Sequence, residues 1–282
     1  MTPTPTLGER LRRAETRLAA VSETARLDGE LLMADALKLS RAQLMARLRN
    51  REAVPAFDAL VERRLNHEPI AYILGEHEFW SRSFVVRPPL LVPRPETEHL
   101  IEVLLQRLSP GVARIAEVGT GTGCVAVTLA AECSAWRLAA CDIRREAVYT
   151  AQLNARRHGV GERVTLVQGD GLLWSREGTE FDAIVSNPPY VETGAWDALP
   201  ETIRRHEDPA ALLAGADGLA FIRRLMEEAF ARLVPGGLFA FELGMGQYEA
   251  ASNLLTQAGF VHVGAAPDLR GIDRIAIAYK PM

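Results

Sequence analysis

Ala113-Arg-Ile-Ala-Glu117-Val-Gly119-Thr120-Gly121-Thr122-Gly123-Cys124 is the stretch on which the reading of this chain turns. An apolar run of strand length enters a loop with glycine at every second position, and the residues from Cys124 to Ala131 then follow a helical pattern. Glycine lets a backbone turn sharply and come close to a ligand, and the N-terminus of the following helix lies behind the loop. Strand, loop and helix together predict a nucleotide or nucleoside cradle in an α/β domain. The dinucleotide fingerprint would need glycine where Cys124 stands, and a Walker loop would need Gly-Lys followed by Ser or Thr, which is absent. Both phosphate-binding readings weaken.

Moving outward, strand and helix patterns alternate, which predicts a mainly parallel sheet covered on both faces. Seven strands are expected: Ala113 to Val118, Arg137 to Cys141, Arg163 to Gln168, Phe181 to Ser186, Gly237 to Leu243, Phe260 to Ala265 and Asp273 to Tyr279. Between them lie helices near Cys124 to Ala131, Arg145 to His158, Ala216 to Leu233 and Gln247 to Ala258. The last two strands leave no room for a helix, so they should pair as an antiparallel hairpin.

Ligands of an open parallel sheet sit beyond the carboxyl ends of its strands, so what stands there is the candidate site. The second strand ends at Asp142, about 19 residues after Gly123, where a carboxylate can accept hydrogen bonds from a ribose diol. A carboxylate also suits a cationic cofactor better than a polyphosphate. The third strand ends in Gly169-Asp170-Gly171; Asp170 is placed either to meet an adenine amino group or simply to form a turn. The fourth ends in Ser186-Asn187-Pro188-Pro189-Tyr190. Two prolines exclude both helix and continued strand. The turn would hold the Asn187 amide and the carbonyls of Asn187 and Pro188 rigidly, with an aromatic ring close by. Such a turn could grip a planar amide or amine.

Before the α/β part, Leu7, Leu11 and Leu18, then Leu27, Leu31, Leu32 and Leu37, Leu44 and Leu48, and Phe57, Leu60, Val61 and Leu65 recur at helical steps. They predict a small helical bundle over residues 1–68, with Ser22 and Ser40 as N-caps and Pro55 in a first turn. Its many arginines, Arg10 to Arg64, read either as a partner-facing surface or as solvated helix faces. Residues 69–95 read as a hairpin around Tyr72 to Val86 and a stiff linker, Arg87-Pro88-Pro89-Leu90-Leu91-Val92-Pro93-Arg94-Pro95. Residues 96–282 would form the α/β domain, with Glu96, Thr97 and Glu98 opening its first helix. Arg94, Glu96 and Glu98 read as a helix cap with salt bridges, and Glu242 reads similarly.

Composition sets bounds on partners. A formal net charge of -4 over 282 residues gives no global pull toward nucleic acid. The three cysteines lie in apolar segments without zinc or redox spacing, which fits small core residues in a reducing compartment. The six histidines show no metal spacing either. Met1 to Gly8 has no signal-peptide character, and no apolar run approaches the roughly 18 residues of a membrane span. A cytoplasmic protein is expected, with no metal and no membrane contact.

Taken together, Glu-Val-Gly-Thr-Gly-Thr-Gly, Asp142 and Asn-Pro-Pro-Tyr look like a class I S-adenosylmethionine-dependent methyltransferase acting on a planar nitrogen. Glu68-Pro69-Ile-Ala-Tyr72-Ile-Leu-Gly75, Leu91-Val-Pro93-Arg94-Pro95-Glu96-Thr97-Glu98, Val185 to Tyr190 and Asp268-Leu-Arg-Gly271-Ile-Asp273-Arg274 resemble the release-factor glutamine methyltransferases, the HemK-type family. The resemblance spans nearly the whole chain. It implies a Rossmann-like seven-stranded sheet with an N-terminal helical domain for release-factor recognition, and a monomer. It also implies transfer of a methyl group from S-adenosylmethionine to N5 of the glutamine in the Gly-Gly-Gln motif of class 1 release factors. Gly119, Thr120, Gly121, Thr122, Gly123, Asp142, Asp170, Gly171 and Asn187 would bind the cofactor. Asn187, Pro188, Pro189 and Tyr190 would bind the target amide, with Asn187, Pro188 and Tyr190 catalytic. The Asn187 side-chain oxygen and the Pro188 carbonyl would accept the two amide hydrogens, and Tyr190 would pack on the amide plane. Two departures stand out. The family often has an aromatic residue where Gly171 stands, with Trp174 a candidate substitute. Arg205-His206-Glu207-Asp208-Pro209 replaces the usual Tyr-Glu-Pro.

The same turn suits the exocyclic amine of a flipped adenine, so a nucleic-acid adenine N6-methyltransferase is the alternative. The acidic balance and the absence of a recognition module weigh against it. A non-catalytic nucleotide-binding module would keep the glycine loop but have no use for Asn187 to Tyr190.

Overall fold

The computed structural model describes residues 4–176, 178–268 and 270–282. Met1 to Pro3, where the leader reading begins, and Leu269, inside the closing motif, lie outside them, as does Glu177. The chain divides into two compact units, Met1–Glu76 with Pro200–His206, and His77–Leu199 with Glu207–Met282.

The first unit is helical: α1 (Leu7–Leu18), α2 (Ala25–Leu37), α3 (Arg41–Ala46), α4 (Pro55–Leu65) and α5 (Ile70–Leu74). Leu7, Leu18, Leu32, Leu44, Phe57 and Val61 share its apolar core. Ser40 caps α3 in a reciprocal box with Gln43, and Pro55 opens α4, both as expected. Ser22 does not cap α2; that position falls to Thr24. Tyr72 and Ile73, expected in a hairpin, lie on α5. The periodic pattern also misplaces α2's inner face. Leu27 is exposed, whereas Asp28 and Glu30 are buried. Asp28 pairs with Arg64 at 2.7 Å and Glu30 with Arg26 and Arg41. Arg64 is therefore a buried structural cation and not part of a solvated arginine surface.

β1 (Glu76–Phe79), which begins on the last residue of the first unit's main segment, and β2 (Arg82–Val85) form a hairpin, and α6 (Glu98–Arg107) of the second unit follows. The main sheet holds β3 (Arg114–Val118), β4 (Arg137–Asp142), β5 (Val164–Gln168), β6 (Phe181–Ser186), β7 (Leu233–Glu242), β8 (Val261–Pro267) and β9 (Asp273–Tyr279) in the order 5-4-3-6-7-9-8. All pairs from β5 to β7 are parallel, and β9 runs antiparallel to both β7 and β8. The expected mainly parallel seven-stranded sheet with a terminal hairpin is present. Two apolar clusters cover its faces, one around Leu100, Val127 and Trp136, the other around Ile222, Phe239 and Leu255. Between the strands lie α7 (Cys124–Glu132), α8 (Arg145–Arg157), α10 (Ala220–Arg232) and α11 (Tyr248–Gln257); α9 (Glu201–His206) belongs to the helical unit. β7 begins earlier than the sequence suggests, because Leu233 pairs with Phe181 ahead of the Gly236-Gly237 irregularity. Helix α10 starts only at Ala220, after positive-φ glycines 215 and 218.

From β3 the chain winds outward to β5 and then returns to place β6 on the other side of β3. The order reverses between β3 and β6, the crevice where an open α/β sheet takes its ligand.

Candidate active site

Val118 at the end of β3 stands opposite Ser186 at the end of β6, and the Ser186 hydroxyl donates to the Val118 carbonyl at 2.8 Å. The glycine loop and the Asn-Pro-Pro turn thus leave the sheet at one level. A cavity of about 390 Å³ opens there, within the range of small-molecule sites. Gly119, Thr120, Gly121, Thr122, Asp142, Asp170, Gly171, Asn187 and Pro189 line it; Gly123, Pro188 and Tyr190 do not.

Gly119, Gly121 and Gly123 all have positive φ. Gly123 is also sterically obligatory, since a Cβ there would lie 2.8 Å from the Ala151 Cβ of α8. Glu117, at the end of β3, accepts from the Thr120 hydroxyl at 2.6 Å and from the Ala126 N–H in the first turn of α7 at 3.1 Å. It folds the loop back on its own strand. Burial pushes its carboxyl up to about 8, against those two hydrogen bonds. Asp142 accepts from the N–H groups of Gly121 and Arg144, both at 2.9 Å. Burial raises its pKa as well. Only part of its four-site acceptor capacity is used by these bonds.

Asp170 lines the cavity and carries an ion pair. Both its oxygens are held by Arg224, at 2.5 and 2.7 Å, and that ion pair holds its carboxyl below the usual range. This pair takes two of its about four acceptor sites, as the two backbone bonds do at Asp142. Gly171, at φ +56°, faces the Glu228 carboxylate, which accepts from Leu172 N–H at 2.5 Å and leaves no room for a Cβ. Trp174 does not replace an aromatic there; it packs on Phe181 and lies off the cavity lining. The aromatic on the wall is Phe221, with the Arg224 guanidinium 5.1 Å from its ring.

The turn after β6 is anchored by Thr97 and Glu242, for which the sequence suggested only a helix start and a cap or salt bridge. Asn187 Nδ2 donates to Thr97 Oγ1 at 2.9 Å, and that hydroxyl donates to Glu242 Oε2 at 2.7 Å. Tyr190 donates its hydroxyl to Glu242 Oε1 at 3.1 Å. Burial, and then the Glu242 charge, push the Tyr190 phenol up. Burial raises Glu242 too, while the bonds from Thr97 and Tyr190 pull it down. Glu242, read from sequence as a cap or salt-bridge residue, is a buried node at the end of β7. The only signal for it is an acid closing the apolar run Leu238 to Phe241. Tyr190 is fixed through its phenol to this node, so the expected stacking on a target amide rests on the ring alone.

The proline-rich segment contributes Leu90, Leu91 and Pro93 to the wall. Arg94 binds the Glu207 carboxylate, Arg144 pairs with Asp208, and Asp208 N–H donates to Pro89. The stretch Glu207-Asp208-Pro209 that breaks the usual Tyr-Glu-Pro pattern thus closes one side of the cavity. Asn154, fully buried, bonds both ways to the Val85 backbone and donates to the Thr122 carbonyl.

A family model described as PrmC N-terminal domain matches residues 9–75, and one described as Methyltransferase small domain matches residues 96–205. A release factor glutamine methyltransferase of Moorella thermoacetica is 41% identical over 282 residues, 98% of this chain and 99% of that one. The chain belongs to the release factor glutamine methyltransferase family. Another member, from Nitratidesulfovibrio vulgaris, is 39% identical over 98% of this chain and 95% of its own. Among solved structures, a methyltransferase from Pyrococcus furiosus superposes with a TM-score of 0.54 at 21% identity, over 78% of this chain and 98% of that one. A T. thermophilus 16S rRNA methyltransferase in complex with AdoMet and guanosine gives 0.53 at 19%, over 73% and 49%. These likenesses show the fold, that of class I methyltransferases. A member of this family is a methyltransferase, and a methyl donor of the S-adenosylmethionine type goes with it.

The residues present fit such a donor. The loop backbone is bare of side chains at Gly119 and Gly121, and the Asp142 carboxylate on the wall suits a cation. The wall's arginines, Arg144 and Arg224, are each paired with an acid.

Proposed function

We propose that this protein methylates N5 of the glutamine in the Gly-Gly-Gln motif of class 1 release factors, with S-adenosylmethionine as donor. Gly119, Thr120, Gly121, Thr122 and Asp142 would hold the cofactor, which supplies an electrophilic methyl on a sulfonium. The N-terminal helical region would recognise the release factor.

The observation that carries this reading is the orientation of Asn187. Its Nδ2 donates a hydrogen to Thr97 and the residue lines the cavity, so Oδ1 would be the end of its amide offered to the target. A primary amide nitrogen is a poor nucleophile because its lone pair is delocalised into the carbonyl. Asn187 Oδ1 and the Pro188 carbonyl would accept its two hydrogens and fix the nitrogen in place. Positive charge would grow on nitrogen as the N–C bond forms and the methyl–sulfur bond breaks, its electron pair staying on the departing thioether, so fixed acceptor dipoles favour the transition state over the ground state. One of the two N–H protons then leaves to solvent, and no strong base is required. Orientation supplies about 7–11 kcal/mol in favourable cases, the larger share of the barrier reduction here.

The test is incubation with labelled cofactor and, separately, purified release factor, the same factor with glutamate replacing the Gly-Gly-Gln glutamine, DNA and RNA. Label on the intact release factor alone is expected. Label on nucleic acid and not on release factor overturns the proposal.

A further inference from the structure

We infer that Glu242 sets the polarity of the amide grip: it holds Asn187 through Thr97 with the acceptor end free, and it anchors the other end of the turn through Tyr190. This rests on the proposed role of Asn187 as the acceptor for the target amide.

The direction of the relay follows from donor counting. A carboxylate only accepts, and a threonine hydroxyl has a single hydrogen. Thr97 Oγ1 lies 2.7 Å from Glu242 Oε2 and donates its hydrogen there. It then has only lone pairs to offer Asn187, so the atom 2.9 Å away must be the NH2 of that amide. The choice between nitrogen and oxygen in an asparagine is normally an assignment from its surroundings; here the buried carboxylate makes it. The second oxygen of Glu242 takes the Tyr190 hydroxyl at 3.1 Å. One carboxylate therefore holds both Asn187 and Tyr190, the two ends of the turn. Ser186 pairs with Phe241 across β6 and β7, so Glu242 follows at the level where Asn187 follows Ser186. Glu242 is a positioning residue in this scheme and touches no substrate.

Glutamine at position 242 has nearly the same shape but can donate. It can hand a hydrogen to Thr97, which frees the hydroxyl hydrogen to point at Asn187. Asn187 is then best satisfied with Oδ1 toward Thr97 and NH2 outward, and a donor meets the hydrogens of the target amide. Loss of methylation should follow without loss of cofactor binding.

The experiment measures single-turnover methylation of purified release factor, and cofactor affinity by calorimetry, for Glu242→Gln, Thr97→Val, Thr97→Ser and Asn187→Ala and for their combinations. Glu242→Gln should slow transfer at least 100-fold with cofactor affinity within about threefold. Thr97→Val should do likewise, and Thr97→Ser, which keeps the hydroxyl, should recover at least tenfold over it. In the Asn187→Ala background, Glu242→Gln should add less than threefold, since residues acting as one unit are not additive. A merely structural Glu242 would cost the same in both backgrounds. Transfer within threefold of the parent in Glu242→Gln, or full additivity with Asn187→Ala, overturns the inference. If Glu242→Gln does not fold, the Thr97 pair decides: equal rates for Thr97→Val and Thr97→Ser overturn it. An unchanged rate in Asn187→Ala sinks the amide-grip reading itself, a separate outcome from a normal Glu242→Gln with an inactive Asn187→Ala.

Discussion

Arg94 Nη2 donates to both oxygens of Glu207, at 2.7 and 2.8 Å, across 113 positions of sequence. The Glu207 side chain is 1% exposed and that of Arg94 29%. Removing one partner of a fully buried pair costs about 3–5 kcal/mol. With Arg94 partly in water, Arg94→Ala should cost roughly 2–4 kcal/mol, read as a lowered urea midpoint with unchanged slope. Arg94→Lys should recover only part, because a single ammonium does not reproduce the guanidinium's grip on a carboxylate. A midpoint equal to the parent's would show that Glu207 is held by other groups.

Two glycines of one loop should fail in opposite ways. Gly123→Ala drives a Cβ to within 2.8 Å of Ala151 at φ +81°. Left-handed strain and overpacking together predict a loss of about 2–5 kcal/mol. Gly121→Ala meets nothing within 4 Å, so stability should fall by only about 1–2 kcal/mol. Its methyl instead occupies the cofactor wall, and affinity for S-adenosylmethionine should drop at least tenfold. Calorimetric titration beside thermal melts separates the two; equal effects on both quantities would refute the contrast.

Asp142→Asn should retain the fold and weaken the cofactor. Asparagine can still accept from one of Gly121 and Arg144, but its other end now donates. Loss of hydrogen bonds to a charged acceptor is worth about 1.5–3 kcal/mol, a 10- to 150-fold rise in Kd. A Kd within twofold of the parent would remove Asp142 from the cofactor site.

Glu117 gives the free protein a stability that declines with pH. Its ordinary value is 4.5 and burial raises it to about 8. Between these values the native state binds more protons than the unfolded one, so its contribution is complete below about pH 4.5 and is lost as pH rises through about 8. The slope from this group reaches about 1.4 kcal/mol per pH unit at most. Urea unfolding at pH 6, 7 and 8 should show a shallower decline in Glu117→Gln than in the parent. Parallel curves would mean that Glu117 is already ionised in the free protein.

Much of the fold is legible in the sequence because it is local. The strand ending in Val118, the one ending in Ser186 and the terminal pair all have the apolar runs and breaks that define them, and the glycine loop and proline turn have few backbone alternatives. What stayed hidden is long-range pairing of polar groups. Thr97 and Glu242 are 145 positions apart, and Asp170 and Arg224 are 54 apart. A periodic pattern weighs only apolar positions, so it could not foresee that Asp28 and Arg64 would be buried while Leu27 faces water. Short elements escaped for a similar reason: α5 and α9, with 5 and 6 residues, span too few turns to show a period.

The adjacency of β3 and β6 has a consequence for what evolution or engineering can alter here. Neighbouring strands lie about 4.8 Å apart, and a Cβ on Gly119 would be 3.8 Å from the Asn187 carbonyl oxygen. The separation between the glycine loop and the turn after β6 is therefore a lattice constant of the backbone, not a property of the loops. If the turn holds the target amide as proposed, its residues could be exchanged to admit another planar nitrogen while that gauge stays the same. A chemistry needing a longer reach would require a different strand order.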